Sequence, residues 1–320
     1  MTTTPQSLQP PVDYIPRITA QYSGLGYGEY RWLESEEAPA WTPLSKPISE
    51  SKLGLICTGG IYASGQTAFH FKDDTSYRAI PTDVDLTELR ATHFAYDLTD
   101  ARKDINVVFP LEQLRSMIDE GALGSLAPHA YTLMGGIYST RRVTEELIPA
   151  LVQRVIEDEV DVVLLVPVCP VCHQTVGLIA RAIEEAGIPT LSMSSARDIT
   201  RSAWPARSVY LDYPLGHTAG RPNDPELNAS IMRDTLTAFE ALTEPGAMSH
   251  LSYRWSDNDD WKDKVFAPVD TADSSEQSSE YEDDRVARHD TPQYQTEADE
   301  AAAEHSHDGE ECLVCAGIDY

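Results

Sequence analysis

Apolar and polar positions fall into alternating blocks along the chain. Five short runs are almost continuously apolar: 53–58 (LGLICT), 130–135 (AYTLMG), 161–168 (DVVLLVPV), 190–194 (TLSMS) and 208–213 (SVYLDY). An unbroken apolar run, as opposed to a strict alternation, is what a strand shows when both faces of its sheet are covered. Segments with helical spacing lie among them at 111–120, 140–158, 173–186, 196–203 and 225–242. In the second of these, Val143, Leu147, Leu151, Val155 and Ile156 recur along one face. Gly187-Ile188-Pro189 reads as a helix stop followed at once by the next strand. Strands and helices joined by short links predict an α/β fold, with an open, mostly parallel sheet and helices on both faces. Sheets of that kind bind ligands beyond the carboxyl ends of their strands.

The flanks read differently. Residues 1–50 form an arm rich in Pro, Ser and Thr, expected to pack on the body through Tyr27, Tyr30 and Trp32. Residues 51–250 form the α/β domain. Residues 251–320 hold 20 acidic and 5 basic residues, with strings such as DSSEQSSEYEDD. So few aliphatic groups do not offset the entropy of ordering, and this acidic tail is expected to be disordered.

Charge narrows the partners. Lys and Arg number 24 against 52 Asp and Glu, a formal net charge of −28. Such a surface repels phosphate backbones and anionic lipid, which argues against nucleic acid and membranes as partners. The apolar stretch ending at Val168 is far too short to span a bilayer, and MTTTPQSLQPPVDYIP has neither a basic start nor an apolar export core. A cytoplasmic location is therefore expected, where thiols stay reduced and paired cysteines are catalytic or metal-binding more often than structural. Neither glycine-rich nucleotide fingerprint is present, which argues against NAD, FAD and ATP.

Two of the five cysteines sit three residues apart where the central apolar run meets a helical segment, in CPVCHQT (169–175). A thiol at a helix N-terminus faces unpaired N–H groups and the positive end of the helix dipole, and both favour thiolate. Cys169 is therefore the expected nucleophile. Cys172 lies one turn on, within reach for a disulfide; Thr175 places a hydroxyl on the same face, and His173 is a candidate proton donor. Two other readings stay open: Cys169, Cys172 and His173 could hold zinc, or the cysteines could fill the core.

Other polar residues suggest a lining for a small-molecule site. His93, Tyr96 and Asp97 crowd the segment THFAYDLTD before an apolar run, able to hold a substrate or donate a proton. Arg78 is a candidate carboxylate clamp, and His217, after the last strand, a candidate proton shuttle at the same sheet edge. Near the C-terminus, Cys312 and Cys315 with His305 and His307 could form a zinc site or a mobile dithiol that reduces the core pair.

The string Cys169-x-x-Cys172-x-x-Thr175, after an apolar strand and before GLIARAIEEAGIPT, resembles the redox motif of the selenoprotein B subunits of glycine, sarcosine, betaine and D-proline reductases. DDTSYRAIP (73–81), THFAYD (92–97), DINVVFPLEQLRSMIDEGALGSLAP (104–128), YTLMGGI (131–137) and YPLGH (213–217) are similar to family segments in the same order. The likeness covers roughly residues 50 to 245. It implies reductive cleavage of a C–N or other carbon–heteroatom bond in a small substrate. Cys169 would stand in the position commonly held by selenocysteine and Cys172 in the resolving position. It also implies a companion reductase subunit, which in the amino-acid reductases carries a pyruvoyl group. A thioredoxin-like electron donor would restore the thiols. The alternative is a non-catalytic or zinc-binding accessory subunit.

Overall fold

A computed structural model describes residues 9–268, 281, 283 and 285–306. Among these residues, ten strands run in chain order: β1 (Lys52–Cys57), β2 (Ile61–Ala63), β3 (Tyr77–Pro81), β4 (Leu89–Ala91), β5 (Ser125–Leu126), β6 (His129–Leu133), β7 (Val162–Val166), β8 (Thr190–Ser194), β9 (Arg207–Leu211) and β10 (Ala247–Leu251). Eight helices accompany them: α1 (Tyr14–Gly24), α2 (Leu111–Asp119), α3 (Thr140–Arg142), α4 (Ile148–Glu157), α5 (Pro170–Glu185), α6 (Arg197–Ala203), α7 (Pro225–Ala241) and α8 (Glu297–Ser306). The expected helix over 140–158 is α3 and α4 joined by a π turn at Val143–Leu147. Pro149 lies in the first turn of α4, and its missing N–H favours such a wider turn.

The main sheet has the order β10-β9-β8-β7-β1-β6-β3, with β5 beside β1. All pairings are parallel except β3 on β6. The five apolar runs became β1, β6, β7, β8 and β9, and their composition follows from two-sided burial. Along β1 and β7, Leu55 and Leu164 join one core layer, with Leu114 of α2 and Phe239 of α7. Their neighbours Ile56, Val163 and Leu165 join the other, with Leu151 of α4 and Ile179 of α5. β2 and β4 make a separate antiparallel pair.

From β1 the chain crosses to β6 on one side, whereas β7 and its successors build outward on the other. The switch point thus lies between β1 and β7, which end level at Cys57 and Val166. A crevice opens there by topology alone.

The flanks close over this edge. The arm contains α1, which the composition of residues 1–50 did not suggest. Residues 30–42 then run along α5: Leu33 N–H donates to Gln174 Oε1 (2.7 Å), and Thr42 N–H to Glu184 Oε2 (2.7 Å). Tyr30 and Trp32 pack as expected, whereas Tyr27 is exposed.

Residues 251–268 and 285–306, read from composition as part of a disordered tail, carry ordered structure. A strap over 285–296 lies across the β2–β4 pair and the loop after β2. Phe71 N–H donates to His289 O and Gln293 N–H to Phe69 O, both at 2.9 Å. Gln295 N–H donates to the Tyr62 hydroxyl (2.7 Å), and Arg90 pairs with the buried Asp299 of α8 at 2.7 Å. Average composition hid the anchors: Tyr253, Trp255, Trp261, Phe266 and Tyr294 all pack onto the core clusters. Among the described residues no helix is long and apolar enough to cross a membrane.

Candidate active site

Cys169 is the N-cap of α5, with extended backbone (φ −111°, ψ 170°), and Pro170 occupies the first turn. Its Sγ accepts the Cys172 N–H at 3.1 Å, so a sulfur fills the position usually held by an oxygen acceptor. Cys172, one turn on, brings its Sγ to 2.7 Å from that of Cys169. Both are free, buried thiols, as is Cys57, which sits in the core of β1. The two sulfurs lie at the switch point: Thr58, the residue after β1, binds Val166 O through its N–H (3.1 Å) and Val168 N–H through Oγ1 (3.2 Å).

His93 completes the group. Its Nδ1 accepts the Ala95 N–H (2.9 Å), so the ring proton resides on Nε2. That N–H points to Met134 O (2.8 Å) and to Cys172 Sγ (3.5 Å). Burial pushes the Cys172 thiol up, but the Cys169 S–H and the neighbouring His93 outweigh it and hold the group well below the usual thiol range. Burial and the adjoining Cys172 sulfur push Cys169 up. The pair therefore shares one proton, with the charge resting on the inner sulfur. The helix dipole alone favours the charge on Cys169, whereas the Cys169 S–H and the His93 N–H beside Cys172 favour it on the inner sulfur.

His93, Cys169 and Cys172 bring one ligand atom each to within 4.8 Å of one another. The hydrogen bonds argue against a metal there. A ligating Nε2 would have to surrender its proton to Nδ1, which would then confront the Ala95 N–H. The donor set suits a thiolate better than a cation.

The remaining expected residues divide. Tyr96 and Asp97 line the cavity above Cys169. The Tyr96 hydroxyl donates to Gly59 O (2.9 Å), and hydrogen bonds from Thr99 hold the Asp97 carboxyl below its usual range. Thr175 does not reach the sulfurs; its hydroxyl donates to Gly135 O (2.7 Å) and fixes the loop against which Cys172 packs. His173 points elsewhere. Its Nδ1–H donates to Cys169 O (2.6 Å) and its Nε2 accepts the Ser195 N–H (3.0 Å). With burial lowering its pKa to about 4, it is a neutral brace between α5 and the loop after β8 and not the expected proton donor.

Arg78 is also a brace. Fully buried, it donates from Nε to Thr67 O (2.6 Å) and from Nη2 to Ala68 O (3.2 Å), and it stacks on Phe69. It is therefore not the carboxylate clamp the sequence suggested. His217 is held by Asp100 (3.0 Å) and by the Trp255 ring, outside the cavity lining. His305 is exposed on α8, its Nδ1–H bonded to Ala301 O (2.7 Å). His307, Cys312 and Cys315 lie outside the described residues.

The cavity itself has a volume of about 1070 Å³ and reaches Cys169 but not Cys172. Its walls are aromatic, with Tyr22, Tyr30, Trp32, Phe94, Tyr96 and Tyr138 among them, and Arg285 and Arg288 of the strap close one side. Sequence reasoning placed Tyr30 and Trp32 on the body but missed Tyr138 and the strap arginines. No local pattern marks residues that meet only because two distant flanks fold over one edge.

Comparison with known proteins bears on what this geometry serves. Residues 27–168 match the family model described as glycine/sarcosine/betaine reductase selenoprotein B; the match stops one residue before Cys169. D-proline reductase subunit gamma of Acetoanaerobium sticklandii is 32% identical over 217 residues, 68% of this chain and 90% of that protein. Glycine reductase complex component B subunit gamma of Symbiobacterium thermophilum is 27% identical over 229 residues, 68% of this chain and 52% of that protein. Sarcosine reductase complex component B subunit beta of Peptoclostridium acidaminophilum is 27% identical over 211 residues, 62% and 47% respectively. The chain thus spans nearly all of the first relative and about half of the other two. No solved structure matches it. The segments seen in the sequence and the extent of these matches agree: the chain belongs to the glycine/sarcosine/betaine reductase selenoprotein B family.

Proposed function

We propose that the chain is the thiol-bearing subunit of a reductase that cleaves a carbon–heteroatom bond, C–N in the first instance, of a small substrate. One observation carries the reading. Two free thiols touch at the switch-point edge, the outer one facing a cavity and the inner one behind it beside a histidine N–H. That is the arrangement a nucleophile and its resolving partner need.

As substrate enters, the shared proton passes from Cys169 to Cys172 across the 2.7 Å contact. The Cys169 thiolate attacks the substrate carbon; a C–S bond forms, the C–N bond breaks, and the amine leaves with its electron pair and takes up a proton. Cys172, deprotonated again, attacks the Cys169 sulfur. The S–S bond forms, and the released carbon keeps the C–S electron pair and is protonated. The substrate has gained two electrons and the pair has become a disulfide, which an external dithiol of thioredoxin type reduces by exchange. The relatives are named as subunits of complexes, so a companion subunit that activates the amine is part of this proposal.

The test uses the full chain with its companion subunit and D-proline, glycine, sarcosine and betaine in turn. In Cys172→Ser, the thioether on Cys169 has no resolving thiol and should accumulate as a mass adduct; Cys169→Ser should give none. Unmodified Cys169 with all four compounds, in protein that retains its fold, would refute the nucleophilic role for this substrate class.

A further inference from the structure

The proposed chemistry leaves two features of the cavity unexplained, its size and Arg288. A volume of about 1070 Å³ is at or above the top of the ~300–1,000 Å³ range of sites for drug-sized ligands, and several times what an amino acid as small as proline fills. Its aromatic walls suit a flat, apolar body.

Arg288 is built into the site from two sides. Its Nη2 donates to Asp73 Oδ2 (3.0 Å), and its guanidinium lies over Tyr138, 4.5 Å from the ring centroid. Asp73 is itself fixed, since its Oδ1 accepts the Tyr138 N–H at 2.6 Å. One edge of the fork is thus anchored. The rest of it lines the cavity, with the Phe94 ring centroid 6.0 Å away and no further hydrogen-bond partner among the described residues. Arg285 differs: its Nε and Nη2 bind the two carboxylate oxygens of Asp283, each at 2.7 Å, and it stacks on Tyr27. Arg288, Tyr138 and Cys169 all line this one cavity, and the Tyr138 phenol feels both the Arg288 cation and the Cys169 sulfur. The strap that delivers Arg288 lies outside the stretch matched by the family model.

We propose that Arg288 is the carboxylate-binding residue of this cavity. Its ligand is a carboxylic acid on an aromatic or extended apolar body, larger than the amino acids for which the relatives are named. The inference rests on Cys169 being the reacting sulfur in that cavity. Asp73 is a positioning residue that turns the fork toward the ligand.

The probe is 4-(iodoacetamido)benzoate, an aromatic carboxylate carrying a thiol-reactive carbon; the controls are N-phenyl-iodoacetamide, which lacks the carboxylate, and iodoacetate, which lacks the ring. In each case the Cys169 sulfur displaces iodide. Labelling of Cys169 in the full chain is followed by mass spectrometry. The wild type should favour the aromatic carboxylate over N-phenyl-iodoacetamide by about 10-fold or more, as a charge-assisted pair allows. Arg288→Ala should abolish that preference while leaving the N-phenyl-iodoacetamide rate within about twofold, and Arg288→Lys should restore part of it. A preference unchanged in Arg288→Ala, or iodoacetate reacting faster than the aromatic carboxylate in the wild type, overturns the proposal. Calorimetric titration with 4-acetamidobenzoate, which carries no electrophile, separates this from the thiol reading. Binding lost in Arg288→Ala supports the proposal even where Cys169 proves unreactive, and equal binding, or none in the wild type, overturns it.

Discussion

Gly135 is the position at which packing and chemistry can be tested by one methyl group. Its φ of +68° lies in the left-handed region, and a Cβ there would stand 2.4 Å from Thr58 Cβ and 3.0 Å from Cys172 Sγ. Alanine at positive φ costs about 1–2 kcal/mol. Inserting a methyl where nothing can yield costs a further ~1–3 kcal/mol. Gly187, beyond the far end of α5, isolates the first contribution. Its φ is +86°, but a Cβ would meet nothing within 4 Å. Gly187→Ala should therefore lose only the backbone share, about 1–2 kcal/mol, and keep normal thiol chemistry. Gly135→Ala should lose about 2–5 kcal/mol, a sizeable part of the ~5–15 kcal/mol a folded protein has. The displaced loop also carries Met134 O, which holds His93, and Gly135 O, which holds Thr175. Closure of the Cys169–Cys172 disulfide by diamide should therefore slow in Gly135→Ala and not in Gly187→Ala. Urea unfolding gives the stability and stopped-flow oxidation the rate. Equal stability losses in the two variants, with equal oxidation rates, would refute the account of how this loop holds Cys172.

The other predictions concern the supports of the site. His93→Leu removes the N–H beside Cys172, so the thiol should become less acidic and iodoacetamide labelling of the pair near neutral pH should fall by about 10-fold; an unchanged rate would remove His93 from the site. His173 is protonated less readily when folded, with a pKa near 4, than when unfolded, near 6.5. Its contribution to stability is thus full above pH 6.5 and is lost as pH falls toward 4, by up to about 3 kcal/mol. Urea midpoints measured over that window should be flatter in His173→Asn, and parallel profiles would contradict the buried neutral ring. The Glu184–Arg207 pair is buried at 2.8 Å and also ties Thr42 and Thr190. Glu184→Leu should cost about 3–5 kcal/mol and Glu184→Leu with Arg207→Leu clearly less, because the single change strands a buried charge; a double variant as unstable as the summed singles would show no coupling.

The strand order was not legible in the sequence, but the strands were. β1, β6, β7, β8 and β9 all fall within a residue or two of the apolar runs, since two-sided burial writes itself as unbroken Val, Leu and Ile. The other five were missed: β2, β4 and β5 are two or three residues long, and β3 and β10 are edge strands of the main sheet that carry no such run. In the site, Cys169, Cys172, Tyr96, Asp97 and His93 were named and lie together. Arg78, His173 and His217 were named for roles that their hydrogen bonds do not allow. A titratable side chain looks the same in a sequence whether it braces a loop or faces a ligand.

What the sequence determined by itself is whatever short-range order encodes: the α/β class, the cysteine at the strand–helix junction, and the formal net charge of −28. Only the tertiary structure decided which histidine meets the thiols, because His93 lies 79 residues from Cys172 in the chain and 3.5 Å away in space. It alone decided that the acidic C-terminal segment folds back to place Arg288 over Tyr138. Local pattern reports which residues want burial. Partners that meet across a sheet edge are chosen by the folding of distant segments onto one surface, and no window along the chain contains both of them.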